Sequence, residues 1–302
     1  MSNCTLSDNN FKLLKQIMTN SEENLLKSLP IVFEHYYNKD KIIYNQNYIY
    51  ILGDIPVTLI AHLDTVHRLL PQKFYHDVEQ TTIWSPQGLG ADDRAGIFSI
   101  LKIVEAGYRP SIIFTTKEES GAIGAYNFIR EISEPKVPTN FLIELDRCGE
   151  NDAVYYDLDV PEFEKYITTF DFKTAYGSFS DISIIAPGWK IPAVNLSVGY
   201  MYEHSLGEIL NYENMFDTIE KVKKILDAEI AESHIFPYNI STHSYYSLSP
   251  LSLEIDREYN KSTSYICSGC GEFVEPDRLT QIKENNEIYL LCPECMSTYE
   301  LK

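Results

Sequence analysis

The chain has 302 residues, 44% of them hydrophobic, which is enough for one large domain, or for a domain with a small appendage, built on a sizeable core. Its 44 acidic and 25 basic residues give a formal net charge of -19, so the molecule repels phosphate backbones and anionic membrane surfaces. This charge argues against nucleic acid and membranes as the main partners.

The N-terminus and the cysteines indicate where the protein works. We find no apolar run of about 18 residues, and the start, MSNCTLSDNN, lacks the basic and apolar regions of a signal peptide. Of the six cysteines, Cys4 and Cys148 are scattered, as is typical where thiols stay reduced. We therefore expect a cytoplasmic protein.

The predicted elements begin with helix and continue as alternating strands and helices. Residues 1–50 form an N-terminal segment that is helical to about Lys27 and ends in a strand-like stretch, IIYNQNYIYILG. From Pro56 onward, the strand patterns VTLIAHL, SIIFTT and FLIEL alternate with the helical patterns DRAGIFSILKIVEAG and SGAIGAYNFIREI. This alternation predicts an α/β sheet with parallel members.

The second half predicts the end of the domain. We expect a strand region over about 153–185, a buried strand at AVNLSV, and one long amphipathic helix over YENMFDTIEKVKKILDAEIAESHI. The main domain then spans 1–240, a connector spans 241–262, and a small C-terminal domain spans 263–302.

Metal-binding types of side chain follow the predicted strands or precede the first helix after Pro56. They are His62, Asp64, Asp92, Glu118, Glu119 and Asp146. Ligands of α/β sheets gather at the carboxyl ends of the strands, so we expect these side chains to meet at one edge. Such a mixture of nitrogen and oxygen donors suits Zn²⁺, Co²⁺ or Mn²⁺ better than Ca²⁺ or Mg²⁺. Two ions are favoured over one, because a shared carboxylate can bridge ions about 3.5–4 Å apart.

Five ordered motifs resemble those of the co-catalytic zinc exopeptidases: AHLDT, GLGADDRAG, FTTKEESG, IELD and NLSVGYMYEHS. That family includes bacterial leucyl aminopeptidase, peptidase T, the tetrahedral aminopeptidases and glutamate carboxypeptidase. The resemblance covers roughly 56–235. It implies a three-layer mixed sheet with helices on both faces, and two divalent ions, Zn²⁺ or else Co²⁺ or Mn²⁺, that hydrolyse amide bonds.

The resemblance also implies a ligand set. His62 and Asp146 would bind one ion, Glu119 and His204 the other, and Asp92 would bridge the two. Three of these ligands have a competitor: Asp93 for Asp92, Glu144 for Asp146, and His243 for His204. Three other histidines, His67, His76 and His234, are expected to be ordinary surface or core residues.

Two further residues take catalytic roles by the same resemblance. Asp64 would orient His62, and Glu118 would act as general base on the bridging water and return the proton to the leaving amine. Glu118 and Glu119 could exchange roles. Tyr200 or Tyr202 could donate a hydroxyl to the oxyanion, although core packing is the more ordinary role of a tyrosine.

Relatives of this family often carry an inserted lid domain, for which this chain has no room. His62 and Asp92 are 30 positions apart and Asp146 and His204 are 58 apart, whereas an independent domain usually needs about 50–250 residues. The segment 177–183, GSFSDIS, falls where relatives build part of the substrate pocket, but a plain turn explains it equally well.

Two cysteine pairs near the C-terminus form a separate pattern. Cys267 and Cys270 are followed after 21 residues by Cys292 and Cys295, which is the spacing of a four-cysteine structural zinc ribbon. The intervening sequence predicts a hairpin of mixed charge. A structural zinc ion and a docking site for a protein partner are therefore expected here, rather than a nucleic-acid site.

We expect an aminopeptidase acting on short peptides. An N-acyl amino acid deacylase or carboxypeptidase-like amidohydrolase would use the same chemistry but would bind a substrate carboxylate, for which Arg94 and Arg147 are close to the ligands in sequence. A third hypothesis, from another class, is an inactive binding protein that docks through the ribbon. The presence of Glu118 argues against it.

Overall fold

The computed structural model describes residues 7–79 and 81–239, together with short C-terminal pieces at 265–266, 273–274, 280–284, 287–291, 293 and 296–297. The chain divides into two compact units, Met1–Thr242 and His243–Lys302. The expected connector over 241–262 lies outside the described residues, as do Cys4 and the four cysteines of the expected ribbon.

An eight-stranded mixed sheet forms the centre of the first unit, in the order β1-β2-β6-β3-β7-β10-β8-β9, and a small antiparallel sheet has the order β11-β12-β5-β4. The strands are β1 (Ile42–Tyr44), β2 (Tyr48–Ile51), β3 (Ile55–His62), β4 (Tyr75–His76), β5 (Thr82–Trp84), β6 (Pro110–Thr115), β7 (Phe141–Arg147), β8 (Asp152–Val154), β9 (Lys173–Ala175), β10 (Ala193–Ser197), β11 (Tyr200–Met201) and β12 (Ile209–Asn211). Strands β6, β3, β7 and β10 run parallel to one another, as the alternating pattern predicts.

Eight α-helices in the described part of this unit cover the sheet. They are α1 (Asp8–Met18), α2 (Glu22–Phe33), α3 (Ala91–Glu105), α4 (Ile123–Glu131), α5 (Pro161–Thr168), α6 (Ile182–Trp189), α7 (Tyr212–Asp227) and α8 (Glu229–Ser233). Polar side chains cap three of them: Ser7 accepts from the Asn10 amide, Ser21 from the Asn24 amide, and Asn211 from the Asn214 amide.

Both faces of the central sheet are buried. In β3, Leu59 packs into one hydrophobic cluster and Ile60 into another, because successive strand residues point to opposite faces. Helices α1, α2, α3, α5, α7 and α8 contribute to the first cluster, and helices α4 and α6 contribute to the second. The expected three-layer fold is therefore confirmed for this unit.

The helix and strand boundaries differ from expectation in three places. Helix α2 continues past Lys27 to Phe33, because Leu29 and Phe33 are buried in the core. The expected strand region over 153–185 contains helices α5 and α6, and Pro161 supplies a favourable first position for α5. The expected long C-terminal helix is broken at Ala228, whose ψ of 131° is extended.

The second unit is described only as paired strands. β13 (Tyr265–Ile266) pairs with β14 (Phe273–Val274), and β15 (Thr280–Glu284) pairs with β16 (Glu287–Leu291), both antiparallel. The β15–β16 pair confirms the predicted hairpin. Among the described residues, no helix combines the length and the apolar character needed to cross a membrane.

Candidate metal centre

The predicted site residues meet at the carboxyl ends of the parallel strands. His62 is the last residue of β3, Glu118 and Glu119 follow β6, and Asp146 is near the end of β7. The remaining two, Asp92 at the start of α3 and His204 in the loop after β11, reach the same edge from the side. The chain thus brings together residues that are up to 142 positions apart.

A first triad consists of His62, Asp92 and Asp146. The Nε2 atom of His62 lies 3.0 Å from Oδ1 of Asp92 and 3.4 Å from Oδ1 of Asp146. All three side chains are largely buried, with exposed fractions of 1% for His62 and 8% for each carboxylate. This arrangement aims one nitrogen and two oxygens at a single point.

A second triad shares Asp92 with the first. The Nε2 atom of His204 lies 3.2 Å from Oδ2 of Asp92 and 3.1 Å from Oε2 of Glu119. The other carboxylate oxygen of Glu119, Oε1, is buried and has no hydrogen-bond partner in the structure. Because the two triads contact different oxygens of Asp92, that carboxylate has the geometry of a bridge.

The spacing of the donor atoms fits divalent ions. Ligand atoms about 2.1 Å from a tetrahedral zinc ion are about 3.4 Å from one another, and the donor separations of 3.0 and 3.4 Å in one triad, and of 3.1 and 3.2 Å in the other, match that spacing. In each triad the candidate ligand atoms lie within 4.8 Å of one another.

The charge balance of the site also favours cations. Burial raises the pKa of Asp146 to about 6 and that of Asp181 to about 7, because buried carboxylates lose their hydration. Hydrogen bonds to Asp92 and Glu119 raise the pKa of His204 to about 11. Divalent ions would supply the positive charge that these buried carboxylates need in order to ionise.

Asp64 holds the strand-end loop together. Its Oδ1 lies 3.2 Å from Nδ1 of His62 and accepts from the Glu118 amide at 2.9 Å, while its Oδ2 accepts from the Glu119 amide at 3.1 Å. One carboxylate therefore fixes the ring of His62 and the backbone of both glutamates.

Asp93, the competitor of Asp92, faces the backbone. Its Oδ1 accepts from the Gly96 amide at 3.0 Å, as a helix-capping acid does, and its Oδ2 accepts from the His62 amide at 3.1 Å. The peptide bond between Asp92 and Asp93 is cis. Asp92 is the one of the two that faces the histidines.

Asp146 is held by side chains from three other segments. Ser180 donates to Oδ2 at 3.1 Å and Tyr200 donates to Oδ1 at 3.1 Å. The Asn195 side chain pairs with the backbone of Asp146, accepting from its amide at 3.0 Å and donating to its carbonyl at 3.2 Å. Glu144, the competitor two residues earlier, belongs to neither triad and is 1% exposed, and burial raises its pKa.

Glu118 belongs to neither triad, although its neighbour Glu119 does. Burial raises the pKa of Glu118 to about 9, and the charge of Asp146 contributes in the same direction. The two adjacent glutamates therefore occupy different positions, one inside a triad and one outside.

The candidate oxyanion donors differ in exposure. The hydroxyl of Tyr200 is engaged with Asp146, whereas Tyr202 is 67% exposed. His243, the competitor of His204, lies outside the described residues. Of the other histidines, His76 contacts the Tyr212 hydroxyl and His234 packs on Phe236, as ordinary core and surface residues do.

The segment 177–183, which the sequence left undecided, contributes to the site. Besides the contact of Ser180 with Asp146, Asp181 is buried and accepts a hydrogen bond from Thr115 at the end of β6. Its other oxygen, Oδ1, has no partner in the structure. Asp181 is the residue before α6 but makes no capping hydrogen bond with its side chain, so a capping pattern would not have identified it.

Comparison with known proteins places this geometry in context. Residues 47–178 match the model of Peptidase family M28. No protein among curated sequences matches the chain. Many solved structures match as well, three of which are described next.

Aminopeptidase PepT from Bacillus cereus ATCC 10987 is 15% identical with a TM-score of 0.55, covering 72% of this chain and 96% of that one. A tripeptidase from Staphylococcus aureus is 16% identical with a TM-score of 0.56, covering 72% and 96%. A TET aminopeptidase from a marine sediment thaumarchaeon is 12% identical with a TM-score of 0.56, covering 73% and 97%. The expected exopeptidase fold is confirmed by these likenesses.

Proposed function

We propose that this chain is an aminopeptidase acting on short peptides, because it is a metallopeptidase whose residues 47–178 match the model of Peptidase family M28. The structures that share its fold include an aminopeptidase PepT, a tripeptidase and a TET aminopeptidase. The observation that carries the proposal is the pair of donor triads that meet at the two oxygens of Asp92.

In this proposal each triad would bind one divalent ion, Zn²⁺ or else Co²⁺ or Mn²⁺. His62 and Asp146 would hold the first ion, Glu119 and His204 would hold the second, and Asp92 would contribute to both sites. When bound, the ions polarise the scissile carbonyl and make the attacking water more acidic. Asp64 fixes the tautomer of His62 by accepting from its Nδ1.

Glu118 is the general base of the proposed reaction. It takes a proton from the attacking water and delivers it to the leaving amine, so that one carboxyl group serves both halves of the hydrolysis. Burial holds the pKa of this group high, at about 9, and neighbouring divalent ions would lower it toward the working range.

The surroundings of the two candidate arginines favour a free α-amine over a carboxylate as the group recognised. Arg94 is 1% exposed and donates to the carbonyl oxygens of Asp64 and Asn20, so it cannot contact a substrate. Arg147 lies 3.8 Å from Asp152, which partly neutralises it. The excess of carboxylates would attract an ammonium group.

A substrate panel tests the proposal. Wild type should cleave free-amine dipeptides and tripeptides and leave the N-acetylated forms intact, and Glu118→Gln should lower kcat by about 10²–10⁴-fold. Glu220→Gln, on the exposed face of α7, removes the same charge far from the strand ends and should retain wild-type activity. Cleavage of the blocked peptides would instead support the deacylase alternative. Equal rates for wild type and Glu118→Gln would refute the mechanism.

The C-terminal cysteines extend the proposal to a third ion. Cys267, Cys270, Cys292 and Cys295 would hold a structural zinc ion in a ribbon that docks a protein partner. The free thiol of Cys148 fits a cytoplasmic protein. Elemental analysis should then give about three ions per chain. Fewer than two ions in folded protein supplied with metal would contradict the two-ion centre.

A further inference from the structure

Glu208 is a buried carboxylate that the sequence analysis passed over. It lies immediately before β12, four residues after His204, and is fully buried. Its Oε1 accepts from the Asp92 amide at 2.9 Å. Its Oε2 accepts from the Gly90 amide at 2.6 Å and lies 2.9 Å from Nε2 of His67. Every strong contact of this carboxylate is therefore with the segment that carries Asp92 or with the loop after Asp64.

The segment around Asp92 needs such an acceptor. Gly90 has a left-handed φ of 68°, and Asp92 has a ψ of 103°, so the start of α3 does not follow a regular helix. The first amides of a helix have no carbonyl partner within the helix. Glu208 accepts hydrogen bonds from two of these amides, those of Gly90 and Asp92, which flank Ala91.

This anchoring affects the direction in which Asp92 points. The carboxylate of Asp92 must present one oxygen to His62 at 3.0 Å and the other to His204 at 3.2 Å. A rotation of its backbone would move both oxygens, because only one side-chain torsion separates the carboxyl carbon from the main chain. The Asp92 amide is the point at which the structure restrains that rotation.

His67 fixes Glu208 in turn. The ring of His67 packs against Gly88, where an added Cβ would lie 2.3 Å from ring atoms, so the ring has little room to move. Its side chain is 8% exposed. His67 therefore forms a buried pair with Glu208.

We propose that Glu208, supported by His67, is a positioning residue of the metal centre that holds Asp92 in its bridging orientation. Glu208 contacts no candidate ion and acts through the Asp92 backbone. The inference rests on the proposed two-ion site. Through its contacts, Glu208 connects three loops, namely those that carry His204, Asp92 and the residues after Asp64.

Metal binding to Glu208→Gln tests this inference. The amide keeps the size of the side chain but replaces one acceptor oxygen by an NH₂ group, which cannot accept from a backbone amide. Equilibrium dialysis over a range of free Zn²⁺, followed by elemental analysis, should show about 10–100-fold weaker binding at the centre. Ions at the centre are counted as the difference between wild type and Asp92→Ala. Saturating Zn²⁺ should restore much of the lost kcat.

Tyr37→Phe is the matched structural control. It removes a buried hydrogen bond of 2.8 Å to the carbonyl of Pro110, at the end of β6 opposite to the site. This variant should lower Tm and leave Zn²⁺ affinity unchanged. A Glu208→Gln protein that behaves in the same way, with lowered Tm and wild-type affinity, would overturn the inference.

Two further outcomes complete the test. If Glu208→Gln does not fold, His67→Gln is the alternative variant, because it changes the contact that supports Glu208. It should weaken Zn²⁺ binding by about a few-fold. Wild-type affinity in folded His67→Gln would then count against the inference. Failure of the proposed function looks different: wild type itself would bind no ion at the centre and cleave no peptide.

Discussion

The two halves of the centre share Asp92 but differ in how firmly they are held. In the first triad, His62 is 1% exposed and Asp146 is fixed by Ser180, Tyr200 and Asn195. In the second triad, the side chain of His204 is 55% exposed, and the backbone of His204 has a left-handed φ of 60°.

This difference bears on metal affinity. A ligand set whose side chains are buried and hydrogen-bonded loses less conformational entropy when an ion binds than a set with a solvent-exposed member. We therefore expect the first triad to bind its ion more tightly than the second, and graded chelation to empty the second triad first.

The largest effect is expected where the two halves join. Asp92→Ala removes the bridging carboxylate and should abolish binding of both ions, with a loss of kcat of at least about 100-fold. Elemental analysis measures the loss of bound ions, and peptide turnover measures the loss of kcat. A variant that still holds two ions at the centre would break the comparison, because the halves would then be independent sites.

A pair of histidine variants sharpens the comparison further. His204→Ala should keep the tightly bound ion of the first triad, whereas His62→Ala should keep only the weaker ion of the second triad, a difference of at least about 10-fold in the free Zn²⁺ needed for half-occupancy. Competition with a chromophoric chelator measures both. The reverse order would mean that exposure does not decide affinity at this site.

A smaller effect is expected for the tyrosines of the GYMYEHS motif. Tyr200→Phe removes the hydroxyl that donates to Asp146 and should lower the stability of the first unit by about 1 kcal/mol, with weaker binding of the first ion. Tyr202→Phe, at an exposed position, should leave both unchanged. If Tyr202→Phe instead lowers kcat while metal affinity stays constant, Tyr202 is the oxyanion donor.

The smallest effect concerns stability and pH in the metal-free protein. Burial raises the pKa of Asp181 to about 7, so the folded state retains a proton that the unfolded state loses above about pH 4. Stability from this group is greatest at low pH and is lost as pH rises through 7. Asp181→Asn should therefore give a flatter plot of Tm against pH between 5 and 8 in the presence of chelator. A slope equal to that of wild type would rule out Asp181 as the source.

The sequence predicted which residues meet at the strand ends better than it predicted what supports them. His62 and Asp146 stand at the ends of apolar runs and Asp92 stands at the start of a helix, so their meeting at one edge of the sheet could be predicted. Their assignment as ligands comes from the family resemblance and stays a prediction. The partners of Asp146 come from 34 positions away in Ser180 and 49 in Asn195. Such contacts depend on strand order and on loop paths, which local patterns do not encode.

The ends of the helices could not be predicted from the sequence either. The apolar spacing over 212–233 is continuous, yet the helix breaks at Ala228, because the chain turns there to pack α8 against the core through Ala231. The region over 153–185 was read as strand because its apolar residues are common in strands. Tertiary packing decided in favour of α5 and α6.

Gly96 in α3 is not one of the proposed ligands, yet the close packing around it restricts which residues can replace it. A Cβ atom at this position would lie 2.2 Å from the Leu145 carbonyl and 2.5 Å from Oδ1 of Asp93. Even alanine would push the helix away from β7 and break the contact between the Gly96 amide and Asp93. A saturation library at position 96, selected for peptide cleavage, should return glycine alone, so this position, which is no ligand, tolerates fewer residues than the exposed rim of the site.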